Sequence, residues 1–169
     1  MKILVVFYSS SGTTRRVGQA FATQLGADVE DIQEVKPRHL DVTEPGGIGK
    51  LVKIMLAGAE ANLGLSVPIL PATHNAADYD LILLGTPLWG SSLPGPVRSY
   101  IVKHREQFKA VAFFATCQGP NPNARCFAQM EKASGKAPVA TATYQANHVL
   151  IGDLAELVAG FVKQIRRSA

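Results

Sequence analysis

Along this chain, short uninterrupted apolar runs alternate with longer stretches whose apolar residues recur every three or four positions, the pattern of buried parallel strands separated by helices. The first run, Ile3 to Tyr8, has no polar alternation. Both of its faces are therefore expected to be buried, as in a central strand covered by helices on each side. Beyond a polar loop, Val17, Ala20, Phe21 and Leu25 fall on one face of a helix that starts at Thr13. Asp28 to Val35 is charged enough to be an edge strand, and Lys36 to Gly46, rich in Pro and Gly, reads as a long connection. The helix predicted over Gly47 to Leu63 places Ile48, Leu51, Val52, Met55, Leu56 and Ala59 in one apolar stripe against the sheet. Leu81 to Leu84 is the second fully apolar strand, followed by the turn residues Gly85, Thr86 and Pro87. Pro94 to His104 reads as a helix opened by its proline. Val111 to Thr116 is the next buried strand, and Gln118 to Asn123, with its glycine and prolines, a loop. A helix over Ala124 to Ala133 leads through Gly135 to a polar edge strand, Val139 to Tyr144. The last helix sets Leu150, Leu154, Leu157, Val158, Phe161 and Ile165 on one face and ends in Lys163, Arg166 and Arg167, cations where the helix dipole favours them.

This alternation runs from end to end without an internal repeat or low-complexity linker, which predicts one α/β domain over residues 1–169, a doubly wound parallel sheet with helices on both faces. A chain of 169 residues with 47% hydrophobic content is long enough for one well-buried domain and short for two. The opening apolar run is too short for a signal-peptide core and no run approaches membrane-spanning length, so the expected location is cytoplasmic. Cys117 and Cys126 form neither a metal-binding pair nor a disulfide framework, and His39, His74, His104 and His148 are scattered without ligand spacing. A metal site is not expected. The net charge of +4 is spread along the chain without interleaved aromatics, which argues against a nucleic-acid partner. Gly46 to Leu51 approximates a nucleoside-triphosphate loop but fails at both ends, with Glu44 for the first glycine and Leu51 for the final Ser or Thr.

The chemistry is concentrated where the first strand meets the first helix. The loop Ser9-Ser10-Ser11-Gly12 opens at the carboxyl edge of the sheet, and the helix behind it points its amino end back into the loop. Unpaired N–H groups and the dipole favour an anion there. Ser9, Ser11 and Thr14 are candidate hydroxyl donors, and Gly12 lets the backbone come close to a ligand. A serine-rich turn that merely caps the helix is the alternative, although three hydroxyls at one junction exceed what a single cap requires. The stretch Val5-Val6-Phe7-Tyr8-Ser9-Ser10-Ser11-Gly12-Thr13-Thr14 resembles the phosphate loop of flavodoxins, small proteins that bind flavin mononucleotide (FMN). Gly18 stands where that family usually has alanine and Phe21 where it has an aliphatic residue. The resemblance implies a five-stranded sheet of order 2-1-3-4-5, with Ser9, Ser10, Ser11, Gly12, Thr13 and Thr14 around the phosphate of FMN at the switch point of the strand order.

A ligand held at the first strand's loop must also meet the loops after neighbouring strands at that edge. Thr86-Pro87-Leu88-Trp89-Gly90 carries the single tryptophan of the chain to this place. A flat indole there can cover one face of a conjugated ring, adding roughly 0.5–1.5 kcal/mol of stacking. Its alternative role is packing on the sheet edge or on a partner subunit. Trp89-Gly90 resembles a Trp-Gly pair frequent in flavodoxins, and Gly90 would then be the residue whose peptide turns toward the flavin N5 on reduction. Ser91 and Ser92 follow where acidic residues are common in the family. The fourth-strand loop, with Thr116, Cys117, Gln118 and Gly119, lacks the tyrosine that typically stacks on the other flavin face. That face is left to another loop, a partner subunit, solvent or a substrate. Cys117 is either a redox-active thiol or a buried small residue, and no basic neighbour in sequence lowers its pKa. Arg15 and Arg16 oppose the helix dipole unless an anion offsets them or they extend into solvent.

Three functions follow from these residues. The first is an FMN-binding redox protein that passes electrons between partner proteins, as the resemblance implies. The second is a reductase that takes hydride from NADH or NADPH and reduces a quinone, a free flavin or another small-molecule acceptor. The basic net charge favours the second over a shuttle of the usual acidic kind. A phosphate-ligand binding module without redox chemistry is the third, and it leaves Trp89 no ring to cover.

Overall fold

The unbroken apolar run at the start of the chain forms β1 (Ile3–Phe7), buried along its whole length in the interior of a parallel sheet. A computed structural model describes residues 1–36, 48–119 and 123–168. The chain order is β1, α1 (Thr13–Leu25), β2 (Asp28–Asp31), α2 (Ile48–Leu63), β3 (Leu81–Pro87), α3 (Gly95–His104), β4 (Val111–Cys117), α4 (Ala124–Ser134), β5 (Thr141–Gln145), α5 (Ala146–Ile151) and α6 (Leu154–Ser168). The five strands lie in the order β2-β1-β3-β4-β5, all parallel, with Val5 beside Leu83 and Leu83 beside Ala112 at the centre. This is the α/β architecture and strand order that the resemblance implies.

Because strand side chains alternate between faces, each central strand serves two cores. Leu4, Val6, Ile82, Leu84 and Phe113 pack with Val97, Ile101, Cys126 and Met130 of α3 and α4 on one side. Val5, Phe7, Leu83, Ala112 and Phe114 pack with Val17, Phe21, Val158, Phe161 and Ile165 of α1 and α6 on the other. The approach of α1 to β1 is close. A Cβ placed at Gly18 would stand 2.3 Å from Cδ1 of Phe7, which accounts for glycine where the family usually has alanine.

Several elements differ from their sequence-based limits. Gly85, Thr86 and Pro87 are not a turn; they extend β3 and pair with Phe114, Ala115 and Thr116, with the proline at the strand end where a lost donor is tolerated. β2 stops at Asp31, and residues 33–35 turn away to bond Pro68 and Leu70 in an antiparallel bridge. The last helix is two helices. The break falls at Gly152, whose added Cβ would lie 2.6 Å from the His148 carbonyl oxygen. The buried residues of α5 are then Ala146 and Val149, while Leu150 is exposed. The stripe on α2 is not buried against the sheet at its described positions: Leu51, Val52, Met55 and Leu56 are 47–65% exposed, the side chain of Ile48 lies outside the described residues, and the described helical residues of the two cores come from other helices. The connection at Lys36 to Gly46, apart from Lys36, and residues 120–122 of the fourth-strand loop lie outside the described residues.

Candidate functional site

β1 ends at Phe7, and the chain passes through the buried Tyr8 into Ser9-Ser10-Ser11-Gly12 at the carboxyl edge of the sheet. Gly12 is the N-cap of α1, with φ 90° and ψ −18°, and no side chain caps the helix. That backbone conformation is strained for residues with a Cβ, which is why glycine stands at this position. The first-turn N–H groups therefore lack the serine cap that the alternative reading of this loop requires. Ser9 Oγ is buried and has no hydrogen-bond partner, while Ser11 Oγ and Thr13 Oγ1 are 3.5 Å apart. An unmet buried hydroxyl costs about 1–3 kcal/mol.

The other walls come from β3, β4 and β5. Leu88 N donates to Thr116 O at 2.9 Å, tying the third-strand loop to the end of β4. Together the loops enclose a groove of about 90 Å³ lined by Ser10, Ser11, Thr13, Pro87, Leu88, Trp89, Thr116, Cys117, Gln118 and Ala146. None of these side chains is charged. Trp89 also stands edge-on to Tyr8, with ring centroids 5.8 Å apart at 86°, so it packs on the sheet edge and lines the groove at once. Trp89 and Ser92 close a tight turn through Ser92 N to Trp89 O at 3.1 Å, with Gly90 at its exposed tip.

Not every predicted residue reaches the groove. Thr14 is 1% exposed and its hydroxyl lies 2.8 Å from that of Thr116, so it braces α1 against β4 and is not among the residues that line the groove. Thr86 is fully buried and its hydroxyl donates to Pro87 O at 3.0 Å. Ser9 and Gly12 sit in the loop behind the lining residues, and Gly90 and Gly119 flank it without entering the wall. Ala146 was not anticipated; it opens α5 directly after β5, and its position at the same edge was the signal available.

Two side chains with open roles find partners inside the protein. Nε and Nη2 of Arg15 donate to Asp31 Oδ2 at 2.8 and 2.6 Å, so a carboxylate of this chain offsets that charge, and Arg16 extends into solvent. Burial pushes the Asp31 carboxyl up, against the opposing pull of Arg15. Cys117 is buried, its thiol donates to Tyr144 O at 3.7 Å, and burial pushes its pKa up. That is the environment of an inert thiol. Among the described residues no cluster of His, Cys, Asp or Glu is arranged to hold a metal ion, and no helix is long and apolar enough to cross a membrane.

An open parallel sheet with a groove outside its carboxyl edge, where connections diverge to opposite faces, defines a doubly wound ligand-binding α/β protein. The sequence model of the flavodoxin family matches residues 2–158, and the chain belongs to that family. Its fold is similar to that of a flavoprotein in complex with FMN from Lactobacillus acidophilus NCFM (21% identity, 88% of this chain and 95% of that one, TM-score 0.63). It is also similar to a protein of Bacteroides uniformis ATCC 8492 (20% identity, 96% and 97% covered, TM-score 0.69). Oxidised flavodoxin 2 of Bacillus cereus aligns over the full length of both chains at 14% identity and a TM-score of 0.54. No curated protein sequence matches the chain. At these identities the structural likeness is one of fold. The site itself fits the family's cofactor, with an orphaned serine hydroxyl and uncapped amides for a phosphate and an uncharged, partly apolar groove for a ring.

Proposed function

We propose that this chain is a single-domain redox protein that binds FMN at the carboxyl edge of its sheet and transfers electrons through it. The reading is carried by the buried, unpartnered Ser9 hydroxyl beside the uncapped amino end of α1, in a loop that shares one groove with Trp89. Ser9, Ser10, Ser11, Gly12, Thr13 and the Thr14 backbone hold the phosphate by hydroxyls and amides, without a lysine. Pro87, Leu88, Trp89, Gly90, Thr116, Cys117, Gln118, Gly119 and Ala146 surround the ring, and the indole keeps water from it. The bound isoalloxazine supplies the electron chemistry. The uncharged walls leave its charge to be set by backbone dipoles and solvent.

The partner is a redox protein or a small molecule. Trp89 is the single aromatic side chain among the described lining residues, which supports a ring with one face open to a nicotinamide donor and a small acceptor. The purified protein is expected to carry, or take up, FMN with a flavin absorption spectrum. Anaerobic addition of NADH or NADPH then separates the two uses: rapid bleaching identifies a reductase, and bleaching only with an added partner reductase identifies a carrier. A protein that takes up no FMN overturns the reading.

A further inference from the structure

The turn that carries Trp89 is held from outside by α2. Gly90 has φ 57° and Ser91 φ 62°, two left-handed residues between Trp89 and Ser92, the signature of a type I′ turn. Among the described residues Ser91 is the one non-glycine with a positive φ. Such a conformation persists only where surrounding contacts over-determine it. One contact from outside the turn is Asn62, on the last turn of α2: Ser92, fully buried, donates its hydroxyl to Asn62 Oδ1 at 2.9 Å. A Cβ added at Gly90 would meet Asn62 Nδ2 at 3.3 Å, so the amide also lies against the tip of the turn.

The base of this brace is firm although most of α2 is exposed. Leu65 N donates to Glu60 O at 3.1 Å and closes the helix end. Two residues on, the Ser99 hydroxyl of α3 bonds both the N–H and the carbonyl of Val67, at 2.8 and 2.7 Å. Gly95, at the start of α3, sits so close that a Cβ there would stand 2.3 Å from Glu60 Oε1.

We infer that Asn62 is a positioning residue: through Ser92 it holds the Trp89–Ser92 turn in one conformation, and thereby sets how Trp89 and the Gly90 peptide meet the flavin. The effect on the cofactor rests on the FMN reading above, whereas the brace itself does not. Trp89 is the single tryptophan of the chain, so its fluorescence in the cofactor-free protein reports on the turn directly. Asn62→Ala is expected to shift that emission and increase its quenching by acrylamide, with an unchanged far-ultraviolet circular dichroism spectrum. Asn62→Asp, which keeps the acceptor for Ser92, is expected to behave as the unsubstituted protein in this readout. Asn62→Ala with Ser92→Ala should change emission no more than the larger single change, because both remove one bond. In the FMN-loaded protein Asn62→Ala should weaken binding about two- to tenfold, the scale of one net hydrogen bond, and move the midpoint potential. Identical Trp89 emission and quenching in Asn62→Ala and the unsubstituted protein would overturn the inference. If the unsubstituted protein takes up no FMN, the FMN reading falls while the fluorescence comparison still decides whether the brace exists.

Discussion

At the scale of single residues, an apo-protein gains nothing from a buried hydroxyl with no partner, and Ser9 Oγ is one. Ser9→Ala should therefore leave the cofactor-free protein as stable as before or slightly more so, because an unmet polar atom disappears. FMN affinity should fall about tenfold, read by fluorescence titration, as a hydrogen bond to a charged phosphate is lost. A drop in apo stability on urea unfolding would mean that the hydroxyl serves the fold. Gly18 has the opposite character. Its place against the ring of Phe7, which is 1% exposed, leaves no room for a methyl group. Gly18→Ala should cost about 1–3 kcal/mol by overpacking, and Gly18→Ala with Phe7→Leu should cost less than the sum of the single changes in urea titrations. The serines and the glycine of the loop were legible in sequence because their chemistry is local. The Thr14 hydroxyl was not, since its partner Thr116 lies 102 positions away and only the packing of α1 on β4 unites them.

At the scale of elements, an apolar period reports which face of a helix is oily but not where the helix breaks or what covers it. The pattern from Leu150 to Ile165 runs across two helices because Gly152 accepts a close approach of the His148 carbonyl and Asp153 starts a new one. Asp153 Oδ1 accepts from Ala155 N at 2.8 Å and from Glu156 N at 3.4 Å, and its carbonyl receives Leu157 N. Asp153→Ala should destabilise the protein by about 1 kcal/mol in denaturant titration, the worth of an N-cap. Asp153→Ser should recover most of it. The end of β3 shows a second limit. Gly-Thr-Pro signals a turn in isolation, yet ladder pairing with β4 carries these residues on as strand and delivers Trp89 to the groove. The stripe on α2 was legible as a stripe; that its described residues stay exposed while α3 and α4 pack on the sheet was not.

At the scale of the whole molecule, the groove is built from four separate strand ends, and none of its described lining residues is charged. Ser91 and Ser92 follow Gly90 in the chain where acidic residues are common in the family, and the net charge is +4. A flavin that gains negative charge on reduction meets less repulsion here than beside carboxylates. The two-electron potential is therefore expected to lie above that of acidic flavodoxins, and a spectroelectrochemical titration that places it equal or lower refutes this.

Local pattern along the chain was enough to establish the alternation of strands and helices, the burial of the first strand and the hydroxyl-rich junction that follows it. Periodicity and local backbone chemistry are properties of neighbouring residues. Tertiary structure alone decided which hydroxyls face the groove and which brace the core, that Arg15 answers to Asp31, that Ala146 joins the wall and that Asn62 reaches the turn of Trp89. Each of these joins residues far apart in the chain, and their meeting depends on the register of a sheet and the packing of helices upon it.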